Sequence, residues 1–248
     1  MLTPDALKVI YMRNNALPAR ILNLTAKVDS AFAKRVGILY DLSPIIDFDA
    51  LDDYNALASE VIKQAEFLFA HGYSFEFHKE HDEPYLSSDD MRHDILTHNK
   101  MLLFSTANGF GGEPFQHEWT LINDVNFRLK WDANPMLKWY APLSTEDAPV
   151  LINDLFRFVH DFFGHVLGNN TFSALGEENA WRQHMPMFTP SAQYALTCET
   201  RAQNCWVNYG PHIVTLNKDK PGYVTPSERP FATQKLIALP SWVLESYL

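Results

Sequence analysis

Leu155-Phe156-Arg157-Phe158-Val159-His160-Asp161-Phe162-Phe163-Gly164-His165-Val166 is the stretch on which both the fold and the chemistry of this chain turn. Together with Val150, it belongs to a strongly aliphatic and aromatic run that reads as a helix. Ionisable groups set into such a run are costly to bury unless something pairs with them. A metal ion is one such partner; a backbone carbonyl bonded to a buried imidazole is another. Downstream, Leu196-Thr197-Cys198-Glu199-Thr200-Arg201 offers a carboxylate. Two histidines and one carboxylate are the ligand set of a mononuclear non-haem iron site with open coordination positions. His160, His165 and Glu199 are therefore the expected metal ligands.

The spacing of the histidines is informative. Residues five apart on an α-helix differ by roughly 140° around the axis and about 7.5 Å along it. That is looser than the four-residue spacing of His-Glu-x-x-His zinc proteases. Convergence on one ion requires the helix to depart from α geometry, and Gly164 permits an unwound end. Between Thr189 and Tyr209 only Glu199 and Arg201 are charged, so that helix is expected to be largely buried. Ala195, Gln203 and Trp206 lie near Glu199 around its axis. Thr197, Arg201, Asn204 and Asn208 form a stripe on the opposite side, open to reading as a solvated face. Between these segments, Leu175-Gly176-Glu177-Glu178-Asn179-Ala180-Trp181 leads to His184. Glu177, Trp181, His184 and Phe188 share a face. Glu177 and Glu178 can serve as an alternative ligand or as acceptors for a ligand imidazole N–H, and the supporting role is favoured here. Acidic residues in a first turn are also ordinary helix-starting chemistry.

From Glu146 onward helices are expected at about 146–167, 174–188 and 190–209, giving a metal-site core over about 146–210. Upstream, Thr3-Pro4 caps a short helix ending near Asn14. Leu51, Tyr54, Leu57, Ala58, Val61, Ile62, Ala65, Leu68 and Phe69 recur at helical spacing until Gly72 closes the helix. Tyr73-Ser74-Phe75-Glu76-Phe77-His78 alternates with the period of a strand. Ser87 caps a further helix through His98, and Met101–Thr106 reads as a second short strand before the Gly109-Phe110-Gly111-Gly112 loop. Residues 113–145, rich in aromatics such as Phe115, Trp119, Phe127 and Trp131, carry no clear period. After Gly210-Pro211 the chain is polar and proline-rich, suiting a surface strap. The expected fold is mainly α with a small β element, a helical bundle around a metal site in a single domain of residues 1–248.

Composition narrows the function classes. Of 248 residues, 46% are hydrophobic and 20% charged, the balance of a globular chain. Thirty acids against twenty bases argue against general nucleic-acid binding. No apolar run is long enough to span a bilayer, and the first residues lack a signal-peptide pattern, so a cytoplasmic location is expected. Cys198 and Cys205 sit seven apart in one helix, too far along its axis for a disulfide. Oligomeric state is not legible.

His160-Asp161-Phe162-Phe163-Gly164-His165 resembles the His-Glu-Leu-Leu-Gly-His segment of the aromatic amino acid hydroxylases, pterin-dependent iron monooxygenases. In that family both histidines bind iron, the acid after the first lies in the pterin pocket, and a Glu on a later helix completes the triad. The resemblance thus implies His160, His165 and Glu199 on Fe(II), and Asp161 beside a reduced pterin. Tyr194–Glu199 is similar to the family's Tyr-Trp-Phe-Thr-x-Glu segment, which adds Tyr194 to the cofactor side. The likeness covers about residues 157–200. The Tyr-Thr-Pro-Glu-Pro-Asp run before the first histidine is replaced by Ile152–Arg157, Ala195 stands where the family has an aromatic residue, and the carboxylate-clamping arginine has no counterpart.

The resulting expectation is an Fe(II) hydroxylase acting with O2 on a small, organic, aromatic-type substrate. Asp161, Glu178 and His184 are its candidate catalytic and orienting groups, and Phe162, Phe163, Trp181 and Trp206 its expected pocket walls. Two rivals remain. His81-Asp82, His93-Asp94 and His160-Asp161 suit an HD-type phosphohydrolase, and a non-enzymatic helical interaction protein would use its His and Glu only as buried polar groups.

Overall fold

The computed structural model describes residues 2–18, 24–79, 84–106, 133–145 and 149–245. The Gly109–Gly112 loop, the aromatic residues Phe115, Trp119, Phe127 and Trp131, the His81-Asp82 dipeptide and the expected helix start at Glu146 lie outside the described residues. The fold is mainly α. Helix α1 (Pro4–Asn14) begins where Thr3 Oγ1 accepts from the Ala6 N–H at 3.3 Å. Helix α2 (Ser30–Leu42), absent from the sequence expectations, is capped by Asp29, whose carboxylate accepts from Ala31 and Phe32.

Helix α3 (Leu51–Ala70) buries Tyr54, Leu57, Ala58, Val61, Gln64, Ala65 and Leu68. That stripe has the expected apolar spacing with one polar member, Gln64, fully enclosed. Gly72, at φ 82°, turns the chain into β1 (Ser74–Phe77). Helix α4 (Ser88–His98) then crosses to β2 (Lys100–Leu103), which pairs parallel to β1 with Ser74 opposite Lys100. A parallel pair needs such a crossover connection.

Helix α5 (Ile152–His160) starts later than expected, because residues around Leu151 are extended and bridged to Trp139. Asp154 accepts from the backbone N–H of Leu151 and of Thr106, both at 2.7 Å, tying the end of β2 to the start of α5. A π-helical turn, Asp161–Val166, continues α5. Next come α6 (Ala174–His184) and α7 (Pro190–Thr197), a second π turn (Cys198–Ala202), and α8 (Gln203–Tyr209). A polar strap leads to the short α9 (Ser241–Glu245).

Helix α3 packs against both α5 and α7, α6 packs on the first π turn, and α2 lies along α8. One hydrophobic core runs from Leu7 to Val243. Both cysteines are free and buried within it. Among the described residues no helix is long and apolar enough to cross a membrane.

The α2–α8 contact depends on a missing side chain. A Cβ on Gly37 would stand 2.8 Å from the Cys205 carbonyl oxygen and 3.2 Å from the Gly210 Cα. Both neighbours are backbone and cannot swing aside. Gly37→Ala is expected to cost about 1–3 kcal/mol through forced helix separation, read as a lowered urea midpoint. An unchanged midpoint would contradict this packing.

Candidate metal centre

His160 ends α5, and the π turn that follows carries His165. A π turn closes i→i+5 hydrogen bonds and inserts one residue into the helical repeat. The fifth residue therefore returns over the first, where an α-helix would carry it away. The two rings stand 5.4 Å apart, nearly perpendicular at 89°. The sequence expectation of an unwound helix end is corrected here: the helix widens without ending. Gly164 serves a different purpose from the one expected. A Cβ there would meet the Ala180 oxygen at 3.0 Å and His160 Cε1 at 3.3 Å, so the glycine lets α6 approach the widened turn.

That approach delivers the third group. Ser173 caps α6 by accepting from the Gly176 N–H at 3.2 Å, and Glu177 sits in the first turn. Its Oε2 lies 3.3 Å from His165 Nε2. Among the described residues, His160, His165 and Glu177 form the one group of three or more His, Cys, Asp or Glu side chains whose ligand atoms lie within 4.8 Å of one another. Glu199 is not in it, which corrects the expected triad.

The reason is visible in the helix that carries Glu199. Its opposite face, bearing Thr197 and Arg201, is the one turned to α6. Trp181 Nε1 donates to Thr197 Oγ1 at 3.1 Å, and Arg201 makes a two-bond fork to Glu178, both bonds 2.9 Å. Thr197, Arg201 and Asn204 of the stripe are accordingly buried and Asn208 half-buried, so this is not a solvated face. Glu199 looks away, and its Oε2 accepts from Gln203 at 3.2 Å and from Gln234 of the strap at 2.5 Å. Its Oε1 is buried without a hydrogen-bond partner. Burial, partly offset by the bonds from Gln234, Tyr54 and Gln203, pushes its carboxyl up to about 7.

The remaining expected residues divide. Glu178 is committed to Arg201 and, at 3.1 Å, to Arg182, so it braces α6 against the second π turn and is not among the clustered ligands. Asp161 is half-buried in the π turn, close enough for its charge to act on His165. His184 Nδ1 lies 3.2 Å from His160 Nδ1. Tyr194 is half-buried on α7, whose main partners are α3 and α9. Asn208, the last member of the stripe opposite Glu199, bonds to Asn204. Phe162, Phe163 and Trp181 are fully enclosed core residues, and Trp206 is half-buried, bonded to Asp41 and packed against His212. A cavity of about 330 Å³ lies beside Glu178, Arg182, Arg201 and Phe32, and none of the three clustered residues lines it. In α4, Asp94 of the His93-Asp94 dipeptide bonds to Tyr85 and His98.

Sequence reasoning missed two supports. Asn170, in the loop after the π turn, accepts from His165 Nδ1 through its carbonyl at 2.9 Å and donates its amide to the Gly164 carbonyl at 2.8 Å. Gln64 bonds to His184 from α3. The signal for Gln64 was there, a polar residue in the apolar stripe of α3.

Electrostatics separate the two imidazoles. Burial, with His165 beside it, lowers His160 to about 3, so its ring is neutral. Burial also works against a charge on His165, yet Glu177, the hydrogen bond between them and Asp161 outweigh it and raise the ring to about 9. Glu177 in turn is held below the usual carboxylate range, His165 more than offsetting its burial. A bare proton on His165 is one way to balance Glu177. A charge-assisted bond is ordinarily 2.7–2.9 Å, shorter than the 3.3 Å found. His160 Nε2 is moreover buried with no partner at all. Donors about 2.1 Å from one first-row ion stand roughly 3.0–3.4 Å apart at coordination angles near 90–109°. The observed separation fits that edge.

The chain matches no family model, no curated protein and no solved structure at a significant level.

Glu199, outside the cluster, gives a pH prediction. A carboxyl raised from 4.5 to about 7 binds a proton in the folded state that the unfolded chain has already lost. Its contribution to stability should fall as pH rises from about 4.5 to 7 and then level off, by about 3 kcal/mol at most. Glu199→Gln is expected to remove this decline, leaving the variant the more stable protein at pH 8. Parallel unfolding curves for the two proteins across that window would contradict it.

Proposed function

We propose that the chain is a mononuclear non-haem metal enzyme of the oxygenase type, with Fe(II) held by His160, His165 and Glu177. The observation that carries the reading is the buried, unpartnered His160 Nε2 beside a His165–Glu177 pair spaced like two ligands of one ion. Imidazole and carboxylate donors without thiolate suit Fe(II), Mn(II) or Zn(II), and two histidines with one carboxylate leave open positions for O2 and a substrate. Bound there, iron would supply redox chemistry that puts one oxygen atom of O2 into a small organic substrate. The other oxygen would leave as water, with two electrons and two protons from a co-reductant such as a reduced pterin.

The protein's own groups have defined parts in this account. Asn170 and His184 orient the two imidazoles. Glu177 supplies negative charge, and its side chain, 31% exposed, marks the side open to solvent. The ring of Phe172, 5.2 Å from His165 and also solvent-facing, offers an apolar wall on that side. Asp161 adds a second negative charge near the centre and suits a polar, hydrogen-bonding co-substrate.

A zinc or manganese hydrolase is the second reading, because two histidines and a glutamate also hold catalytic zinc with a bound water. Anaerobic loading followed by elemental analysis should give about one ion per chain. His160→Ala and Glu177→Ala should lose it, whereas Glu199→Gln should keep it. Oxygen uptake with a reduced pterin should require Fe(II) and should not be supported by Zn(II). Phosphate release from nucleotides under Zn(II) or Mn(II), with no oxygen consumed under any reductant, would favour the hydrolase. An ion-free protein after loading would overturn both.

A further inference from the structure

We propose that Gln64 and His184 form a tautomer relay that fixes which nitrogen of His160 carries its hydrogen, leaving the lone pair on the one that faces Glu177 and His165, and making both positioning residues of the metal centre. The inference rests on the metal reading above only for its consequence, since the relay itself is a property of the protein without metal. Its starting point is a group with no freedom, the Met187 carbonyl, which can only accept. Gln64 Nε2 lies 3.3 Å from that oxygen, and Gln64 also hydrogen-bonds to the Tyr11 hydroxyl. These contacts orient the amide, so that Gln64 Oε1 is the atom facing His184 Nε2 at 2.7 Å. An amide oxygen cannot donate. His184 therefore carries its proton on Nε2 and offers a lone pair at Nδ1.

The next link follows from the same rule. His184 Nδ1 and His160 Nδ1 are 3.2 Å apart. With a lone pair on the first, the second must donate. His160 is then the Nδ1–H tautomer, and its lone pair is at Nε2, the buried atom with no partner in the protein. His165 also donates from Nδ1, to the Asn170 carbonyl, which leaves Nε2 as the nitrogen aimed at Glu177. In the metal-free protein that nitrogen holds a proton against Glu177, which an ion would displace, while His160 Nε2 already offers its lone pair. In the opposite tautomer His160 would point an N–H at the ion and could not bind it. Every relay residue is enclosed, with Gln64 and His184 at 0% exposure.

The test uses the full chain, free of metal, with ¹⁵N-labelled histidine and long-range ¹H–¹⁵N correlation. His160 is expected with hydrogen on Nδ1 only, and His184 with hydrogen on Nε2 only. His184→Asn keeps a carbonyl acceptor close to the position of Nδ1, and His184→Leu does not. Co(II) titration should show affinity falling roughly 10–100-fold in the leucine variant, the range for lost outer ligand support, with recovery in the asparagine variant. Gln64→Met, which keeps the volume and removes the acceptor, should convert the two single tautomers into mixtures, and it serves if His184→Leu does not fold. Hydrogen found on His160 Nε2, unchanged tautomers in Gln64→Met, or equal Co(II) affinity in the two His184 variants would overturn the relay. No Co(II) binding in a protein whose tautomers stand as described would overturn the metal reading and uphold the relay's assignment.

Discussion

One extra residue in a helical turn governs the rest of this structure. The π geometry of Asp161–Val166 places His165 over His160, and each other feature of the centre answers to that overlap. The Asn170 amide donates to the Gly164 carbonyl of the widened turn. The loop that brings Asn170 back also presents its own carbonyl to His165. Gly164 leaves room for α6, and α6 brings Glu177. π turns of this kind occur often at functional sites, because their irregularity costs stability that packing alone would not favour.

A second π turn, Cys198–Ala202, shows the contrast. It too carries a buried acid, Glu199, but its surroundings are amide side chains and tyrosines in place of imidazoles. Glu178 meets a third fate, a fork with Arg201 between two helices. Three glutamates in one small region are thus balanced by three different means: an imidazole ring that can carry a proton, neutral hydrogen-bond donors and a guanidinium. Separating a ligand from a structural acid required their partners, because the residue type is the same in each.

Much of the fold was legible in the chain. The apolar spacing of α3, the caps at Thr3 and Ser87, and the alternation at Ser74–Phe77 each rest on local rules, and the structure follows them. Helix α2 was not anticipated, although Asp29 before Ser30 is an ordinary cap. The histidine pair was legible as a buried anomaly in an apolar run. The identity of the third group was not, because Glu177 and Glu199 differ only in which neighbour each helix face meets. The sequence did place Thr197 and Arg201 opposite Glu199. What it lacked was the knowledge that α6, and not solvent, covers that stripe. Gln64 was passed over for a related reason: a lone polar residue in an apolar stripe acquires meaning only when His184, from a distant segment, arrives against it.

Whether an ion or a proton joins the three side chains is the central question, and crystallography of the protein soaked anaerobically in Fe(II) answers it most directly. The account predicts a single strong iron anomalous peak lying about 2.0–2.2 Å from His160 Nε2, His165 Nε2 and a Glu177 oxygen. A peak at Glu199 would contradict it. So would an ion-free cluster in which His165 and Glu177 draw together to the 2.7–2.9 Å of a charge-assisted pair.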